Sequence, residues 1–510
     1  MFIVHPLIRP GTLDEREYQR DLAGSCLRSS TLVVLPTGTG KTVVALRAIA
    51  EVLHLQGGRA LLLAPTKPLV EQHASFLRRC LIGKNVVMLT GEITPPRRAE
   101  CWERGDVVVS TPQAVANDLR SGLVTLDDVR LIVFDEAHRG VGSYAYVAVA
   151  EEHRRLGGLR MGITASPGST RGRIEKVCTN LGLAKIEVVR EDDEVMRGYI
   201  HDITTEWTEL EVPDELDEVI SSLRSLHDTC IEQLKKMRLV SGKRPPTTMY
   251  LLEIGQSIRS RMGKGKKSGY LFRALSVQAM AIKTSHALML AETQGKGALI
   301  SYMEKLKAEA GSKGASKATQ RIVKSPQFQE VEEALQATGS EHPKMAALVE
   351  AVTAQLRTDP GSKMIVFTNF RDSCEAVARR LATVEGVKVS KLIGQANRPG
   401  DQGFRQAEQV EALSRLRRGE VNTIVATCVG EEGLDVANTD LVVFCEPVPS
   451  EIRSIQRRGR TGRSRPGRVV VLVTKGTRDE VSLSTSLRKE RAMNRHLANL
   501  QREKAEEAEA

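Results

Sequence analysis

Residues 31–53 read TLVVLPTGTGKTVVALRAIAEVL, and no other stretch restricts the fold so tightly. The apolar, β-branched run TLVVL predicts a buried strand, and VVALRAIAEVL predicts a helix. The loop between them, Pro36, Thr37, Gly38, Thr39, Gly40, Lys41 and Thr42, is a glycine-rich turn at a helix N-terminus, where backbone N–H groups can close around phosphate oxygens. Lys41 then reaches the terminal phosphates, and the Thr42 hydroxyl is placed for magnesium. A strand that feeds a helix through such a loop belongs to a βαβ unit, which implies a parallel sheet.

The alternation continues. From residue 31 to about 190, RALLLA, NVVML, DVVVS, RLIVF and LRMGIT recur between helical segments, and from about 342 to 475 the pattern returns as KMIVFT, VKVSKLI, NTIVAT, DLVVFC and GRVVVLVT. Residues 205–340 hold few strand-like runs; Leu, Met, Ala, Lys and Glu fall at helical spacing, broken by GKGKK at 263–267 and GSKGASK at 311–317. A chain of 510 residues exceeds what one core usually holds. The expected class is therefore α/β, with a first parallel-sheet domain at 1–204, a helical insert at 205–340, a second parallel-sheet domain at 341–476 and a charged, solvated helical tail at 477–510.

Charge locates a partner. The net charge is +11, and residues 241–325 alone carry sixteen Lys or Arg against four acidic residues, so the rest of the chain is close to neutral. A basic insert of this kind fits a clamp on nucleic acid, with Lys264, Lys266 and Lys267 at its most basic break. Aromatic residues make up only 4%, which argues against a long base-stacking platform and places the grip on the sugar-phosphate backbone. The eight cysteines form no C-x-x-C pair, and reduced thiols are expected. No apolar run is long enough to span a membrane, so a cytoplasmic location without membrane partners is expected.

Two further motifs carry chemistry. In VFDEAH, residues 133–138, the strand RLIVF delivers Asp135 and Glu136 at its carboxyl end, the edge where open α/β sheets place ligands. Adjacent side chains on an extended chain point apart. Asp135 is thus expected to hold magnesium, directly or through water, while Glu136 faces the attacking water as a base. RSIQRRGRTGR, residues 453–463, has five arginines and no lysine. Guanidinium stays charged and presents a planar fork to phosphoryl oxygens, which an ammonium cannot do.

PTGTGKT, DEAH, TAS at 164–166 and QRRGRTGR at 456–463, in this order, resemble the motif set of the superfamily 2 helicases. REYQ at 16–19 resembles their adenine-reading element, APTKPL at 64–69 and TPQ at 111–113 their strand-gripping motifs, and VATCVGEEGLDV at 425–436 the element before the arginines. The run VGEEGLDVANTDLVVFCEPVPSEIRSIQRRGRTGR and the central helical insert are similar to the archaeal Hef helicases and their relatives of the Fanconi anaemia M type. The resemblance implies two RecA-like domains that use ATP with Mg2+. Gln19 would read the base, and Arg460 and Arg463 would be fingers crossing from the second domain. Gln456 and Arg457 would support them, and Gly433 and Asp435 would approach the ribose or the magnesium shell. Thr66, Lys67, Thr111 and Gln113 on the first domain, with Thr368, Asn369, Gln395 and Thr427 on the second, are the candidate phosphate track.

The expected activity is an ATP-driven DNA helicase or translocase on forked or branched DNA, in replication-fork repair and recombination, moving 3′ to 5′ as the resemblance implies. A sliding clamp or a separate nuclease are candidate protein partners. Two other readings stay open at this point: an RNA-directed helicase of the RNA-sensor type, and a non-enzymatic scaffold for branched nucleic acid. RKER at 488–491 has no strands around it to build an acidic metal centre, so no nuclease activity is expected of the chain.

Overall fold

The computed structural model describes residues 1–199, 201–241, 246–263, 268–337, 342–395, 403–431, 438–462 and 465–509. Lys264, Lys266, Lys267, Gly433, Asp435 and Arg463 lie outside them, as does the expected boundary at 340/341.

Strands β1 (Thr31–Val34), β2 (Arg59–Leu63), β3 (Val86–Leu89), β4 (Val107–Ser110), β5 (Val129–Asp135), β6 (Leu159–Thr164) and β7 (Lys185–Val188) form one sheet in the order β3-β4-β2-β5-β6-β1-β7. Every pair in it is parallel. The inner strands β1, β2 and β4 are buried along their whole length, whereas the edge strands β3 and β7 are partly open. Burial on both faces is why these strands read as continuous apolar runs. Because all strands point one way, the phosphate loop after β1, Thr66 after β2, Thr111 after β4, Asp135 ending β5 and Thr164 ending β6 meet at one edge.

The second sheet contains β8 (Ile203–Leu210), β9 (Met364–Phe367), β10 (Val389–Leu392), β11 (Thr423–Ala426), β12 (Leu441–Phe444) and β13 (Gly467–Thr474), in the order β10-β11-β9-β12-β13-β8. β8 corrects the expected boundary at 204/205. It pairs in parallel with β13 from Ile203↔Gly467 to Leu210↔Thr474, so the chain enters the second sheet before it leaves for the insert. As an edge strand, ITTEWTEL is only half buried on alternate residues, and Trp207 stays 52% exposed.

Between β8 and the helix Pro343–Thr358 the described residues hold six helices, Asp217–Lys236, Thr248–Gly263, Gly269–Thr293, Lys296–Gly311, Lys317–Val323 and Pro326–Ala337. They pack on two apolar clusters of their own, one around Leu223, Leu288, Leu299 and Phe328, the other around Leu234, Leu251, Ile258 and Val277.

The tail is not a solvated helix. Arg478–Glu509 is one helix of 32 residues that starts on the second domain and ends on the first. Asp479 accepts from the Thr474 amide at 3.2 Å, while Glu503, about 36 Å further along at 1.5 Å per residue, takes both ends of Arg171 at 2.7 and 2.8 Å. Met493, Leu497 and Leu500 are buried in the first domain's core beside Ile174, Val177 and Leu181. Burying three such side chains stabilises the docking by about 1.5–3 kcal/mol each. Among the described residues no helix is long and apolar enough to cross a membrane, and all eight cysteines are free thiols.

Candidate active site

The phosphate loop is shaped by backbone requirements. Gly38 and Gly40 sit at φ 81° and 86°, in the left-handed region where side chains are strained. A Cβ on Gly40 would also meet Gln19 Nε2 at 2.4 Å. That amide donates to the Thr39 carbonyl at 3.0 Å, and the Tyr18 hydroxyl donates to the same oxygen at 2.6 Å. Gln19, 2% exposed, therefore braces the loop. Thr39 closes the turn by donating its hydroxyl to the Pro36 carbonyl at 2.8 Å. Lys41 and Thr42 open the following helix half-buried, with Lys41 Nζ 3.3 Å from the Leu35 carbonyl.

Asp135 is 6% exposed and lies 2.9 Å from the Nε2 of His73, on the helix Lys67–Cys80. Burial alone would raise its carboxyl, but His73 and Lys41 outweigh that and hold it below the usual range, so it stays ionised. Tyr146 anchors the strand end by donating its hydroxyl to the Asp135 carbonyl at 2.6 Å. Glu136 is not on extended backbone as expected: its φ of 48° and ψ of 52° are left-handed, a conformation costing about 1–3 kcal/mol in a residue with a side chain. The turn separates its carboxylate from Asp135 and brings it 3.3 Å from His138 Nδ1. The same nitrogen lies 3.1 Å from Thr164 Oγ1, tying DEAH to TAS. A carboxylate kept ionised beside Lys41 and a half-buried hydroxyl on Thr42 supply the hard oxygen donors that suit Mg2+.

The second domain faces this loop directly. A Cβ on Gly459 would fall 1.6 Å from Thr37 Oγ1 and 2.3 Å from Thr37 Cβ, so the backbone of the arginine motif packs against the Thr37 side chain of the phosphate loop. Behind the contact is a cavity of about 600 Å³, walled by Pro36, Arg458 and, from the terminal helix, Met493. Arg458 pairs with Glu490 of that helix, and the Ser166 hydroxyl lies 3.3 Å from the Met493 sulfur.

The residues expected to support the fingers are buried. Arg457 is 0% exposed, set against the rings of Phe367 and Phe444 at 4.9 and 5.3 Å. Its Nε donates to Glu431 at 2.7 Å, Nη1 to the Glu446 carbonyl at 3.3 Å and Nη2 to Asn369 Oδ1 at 3.0 Å. The Arg457 fork is thus satisfied inside its own domain. Arg460, 8% exposed, donates Nη2 to the Glu431 carbonyl, and Gln456 is buried on the helix Glu451–Arg458.

Of the candidate track, Thr66 and Thr111 stand at the N-termini of helices Lys67–Cys80 and Pro112–Arg120, and Gln113 and Gln395 are exposed. Lys67 holds Glu92 at 2.6 Å. Thr368 and Thr427 are buried: Thr368 is 0% exposed with its hydroxyl on the Phe370 carbonyl at 3.1 Å, and Thr427 is 6% exposed. Sequence reasoning missed His73, Tyr146, Glu431 and Glu446. The signal for His73 was its position beside Val70, Ala74 and Leu77 on a buried helix face, where histidine more often belongs to the core.

A phosphate loop and an acidic strand end in one parallel-sheet domain, closed by an arginine motif from a second, define a nucleoside-triphosphatase of two-domain motor type. Residues 16–174 match the family described as "DEAD/DEAH box helicase", residues 343–465 "Helicase conserved C-terminal domain", and residues 215–341 "Putative ATP-dependent RNA helicase, helical bundle". The crystal structure of the Pyrococcus furiosus Hef helicase domain is similar over 94% of this chain and 100% of that one, at 42% identity and a TM-score of 0.70. The chain belongs to the DEAD/DEAH-box helicases of superfamily 2, in the Hef and Fanconi anaemia M group. A Methanocaldococcus jannaschii protein named "Putative ATP-dependent RNA helicase MJ1505" is 37% identical over 98% of this chain and 63% of its own length. The "ATP-dependent DNA helicase mph1" of Sclerotinia sclerotiorum is 34% identical over 91% of this chain and 40% of its own. The chain thus spans about two-fifths to three-fifths of these relatives.

Proposed function

We propose that the chain is an ATP-dependent DNA helicase or translocase that moves 3′ to 5′ on forked or branched DNA in fork repair and recombination. The observation that carries this reading is the contact of Gly459 with Thr37, which puts the arginine motif against the phosphate loop. Lys41 and the loop amides hold the triphosphate, Glu136 accepts the proton of the attacking water, and Arg460 and Arg463 answer charge on the transferred phosphoryl group. Thr42 and Asp135 would hold Mg2+, which neutralises phosphate oxygens. Hydrolysis that needs both lobes converts a nucleotide cycle into a cycle of lobe separation. Thr66, Lys67, Thr111 and Gln113 then move against Asn369 and Gln395 along a backbone. The names of the Hef and mph1 relatives support DNA as the track.

A second reading, RNA as the track, is favoured by the name of the Methanocaldococcus relative and by that of the family matching the insert. ATPase activity measured with single-stranded, duplex, forked and four-way DNA beside matching RNA separates the two. Stimulation by forked DNA and not by RNA is expected, and the reverse ranking overturns the DNA reading. Glu136→Gln should lower turnover about 10³-fold while nucleic-acid binding is retained; full activity in that variant would discard the mechanism.

A further inference from the structure

Glu446 follows β12 at the carboxyl edge of the second sheet and is 3% exposed. One carboxylate oxygen accepts from the side-chain amide of Gln294, the residue that ends the insert's longest helix, Gly269–Thr293. The other accepts from the Asn369 backbone amide at 2.8 Å. Asn369 passes the constraint on, since its side-chain oxygen holds Arg457 at 3.0 Å and the Glu446 carbonyl holds a second nitrogen of the same guanidinium. Arg457 and Arg453 then share the Glu431 carboxylate, at 2.7 Å for each Nε, and Arg460 bonds the Glu431 carbonyl. Burial raises the Glu446 carboxyl, while Lys344 and the bonds from Gln294 and Asn369 work against that, so the group is held by its partners.

We propose that Glu446 is a positioning residue that ties the insert to the arginine motif, so that nucleic acid on the insert sets the placement of Arg460 through Gln294, Glu446, Asn369 and Arg457. The inference rests on the helicase reading above and deepens it. An insert joined only by flexible chain could add binding but would not alter turnover. Here the helix end is bonded to a buried carboxylate whose other bonds reach the catalytic arginine, which is a continuous polar path between two sites.

Gln294 is outside the nucleotide site and is only partly buried, so its replacement reads the tie alone. In Gln294→Ala, and in Gln294→Leu, which keeps the volume, the stimulation of ATPase by forked DNA should fall about tenfold, within the usual range of coupling between sites. The unstimulated rate, the KM for ATP and the affinity for DNA should hold. Undiminished stimulation overturns the proposal, as does an equal fall in the unstimulated rate, which would mark a purely structural contact. A second readout does not depend on stimulation: amide exchange across Glu451–Arg458 should quicken in both variants relative to the parent chain, and unchanged exchange there overturns the tie. A parent chain that no nucleic acid stimulates would instead count against the helicase reading, leaving the exchange result to decide the tie.

Discussion

In the first domain Gly38 is exposed at the rim of the cleft and Lys41, Thr42 and Glu136 are half-buried, while Asp135 is enclosed. In the second, the arginine motif is folded into its own domain, with Arg457 fully enclosed and Glu431 5% exposed beneath it. One lobe presents its side chains by local backbone geometry, through left-handed glycines and the turn at Glu136. The other presents them by a buried network of ion pairs and hydrogen bonds that joins residues just beyond β9, β11 and β12 to the helix Glu451–Arg458. The contrast teaches that one lobe can place its motif by local backbone geometry and the other through a buried network, and that mutation should distinguish them by stability as much as by rate.

The largest expected effect is Arg457→Ala. Removing a wholly buried guanidinium leaves Glu431 enclosed with half its charge unanswered, a change that costs about 3–5 kcal/mol when one partner of a buried pair is lost. Urea unfolding followed by tryptophan and far-ultraviolet signals should show the second domain melting early while the first is little changed. A midpoint within error of the parent chain would erase the distinction between the lobes.

That distinction also marks what the sequence made legible. The phosphate loop, the acidic strand end and ten of the other strand runs are local patterns within a few residues, set by steric rules that act on contiguous chain. β8 escaped because ITTEWTEL alternates as an edge strand and pairs with Gly467–Thr474, more than 250 residues later, where no local rule reaches. The terminal helix carried a usable signal: Met493, Leu497 and Leu500 fall at helical spacing amid charges, the mark of one docked face. Arg457 carried none. Its surroundings, Phe367 and Phe444, come from the ends of separate strands, and an arginine inside RRGR reads like its neighbours.

Acid should sharpen the comparison at the junction of insert and second domain. His342 is 4% exposed, begins the helix Pro343–Thr358, accepts from the Lys344 amide at 3.2 Å and is lowered to about 4 by burial and by Lys344. The folded state thus binds a proton later than the unfolded chain, whose histidine titrates near about 6.5. Its contribution is fully present above about pH 6.5 and is lost as pH falls toward 4, up to about 3 kcal/mol. Glu292 and Glu446, both raised by burial, act with the opposite sign, so the informative quantity is a difference between chains. His342→Asn keeps a good helix cap without the titration, and its stability should decline less than the parent's between pH 6.5 and 4. Parallel declines would show that His342 is not buried neutral.

The smallest effect tests where the two lobes meet. Gly459→Ala adds one methyl at a place where Thr37 Oγ1 would be 1.6 Å away and Thr37 Cβ 2.3 Å, and a threonine whose own loop is pinned by Thr39 and Gln19 has little freedom to withdraw. The backbone of Gly459, φ −68° and ψ 11°, suits alanine, so each lobe should fold as before. Only the approach of the arginine motif to the phosphate loop is hindered. Turnover should drop about tenfold, because a misplacement of about 1 Å in a preorganised site costs that much or more, with the unfolding midpoint unchanged and small-angle scattering showing a more open pair of lobes. If Gly459→Ala turns over at the parent rate, hydrolysis does not require this contact, and the two lobes do their work at a greater separation.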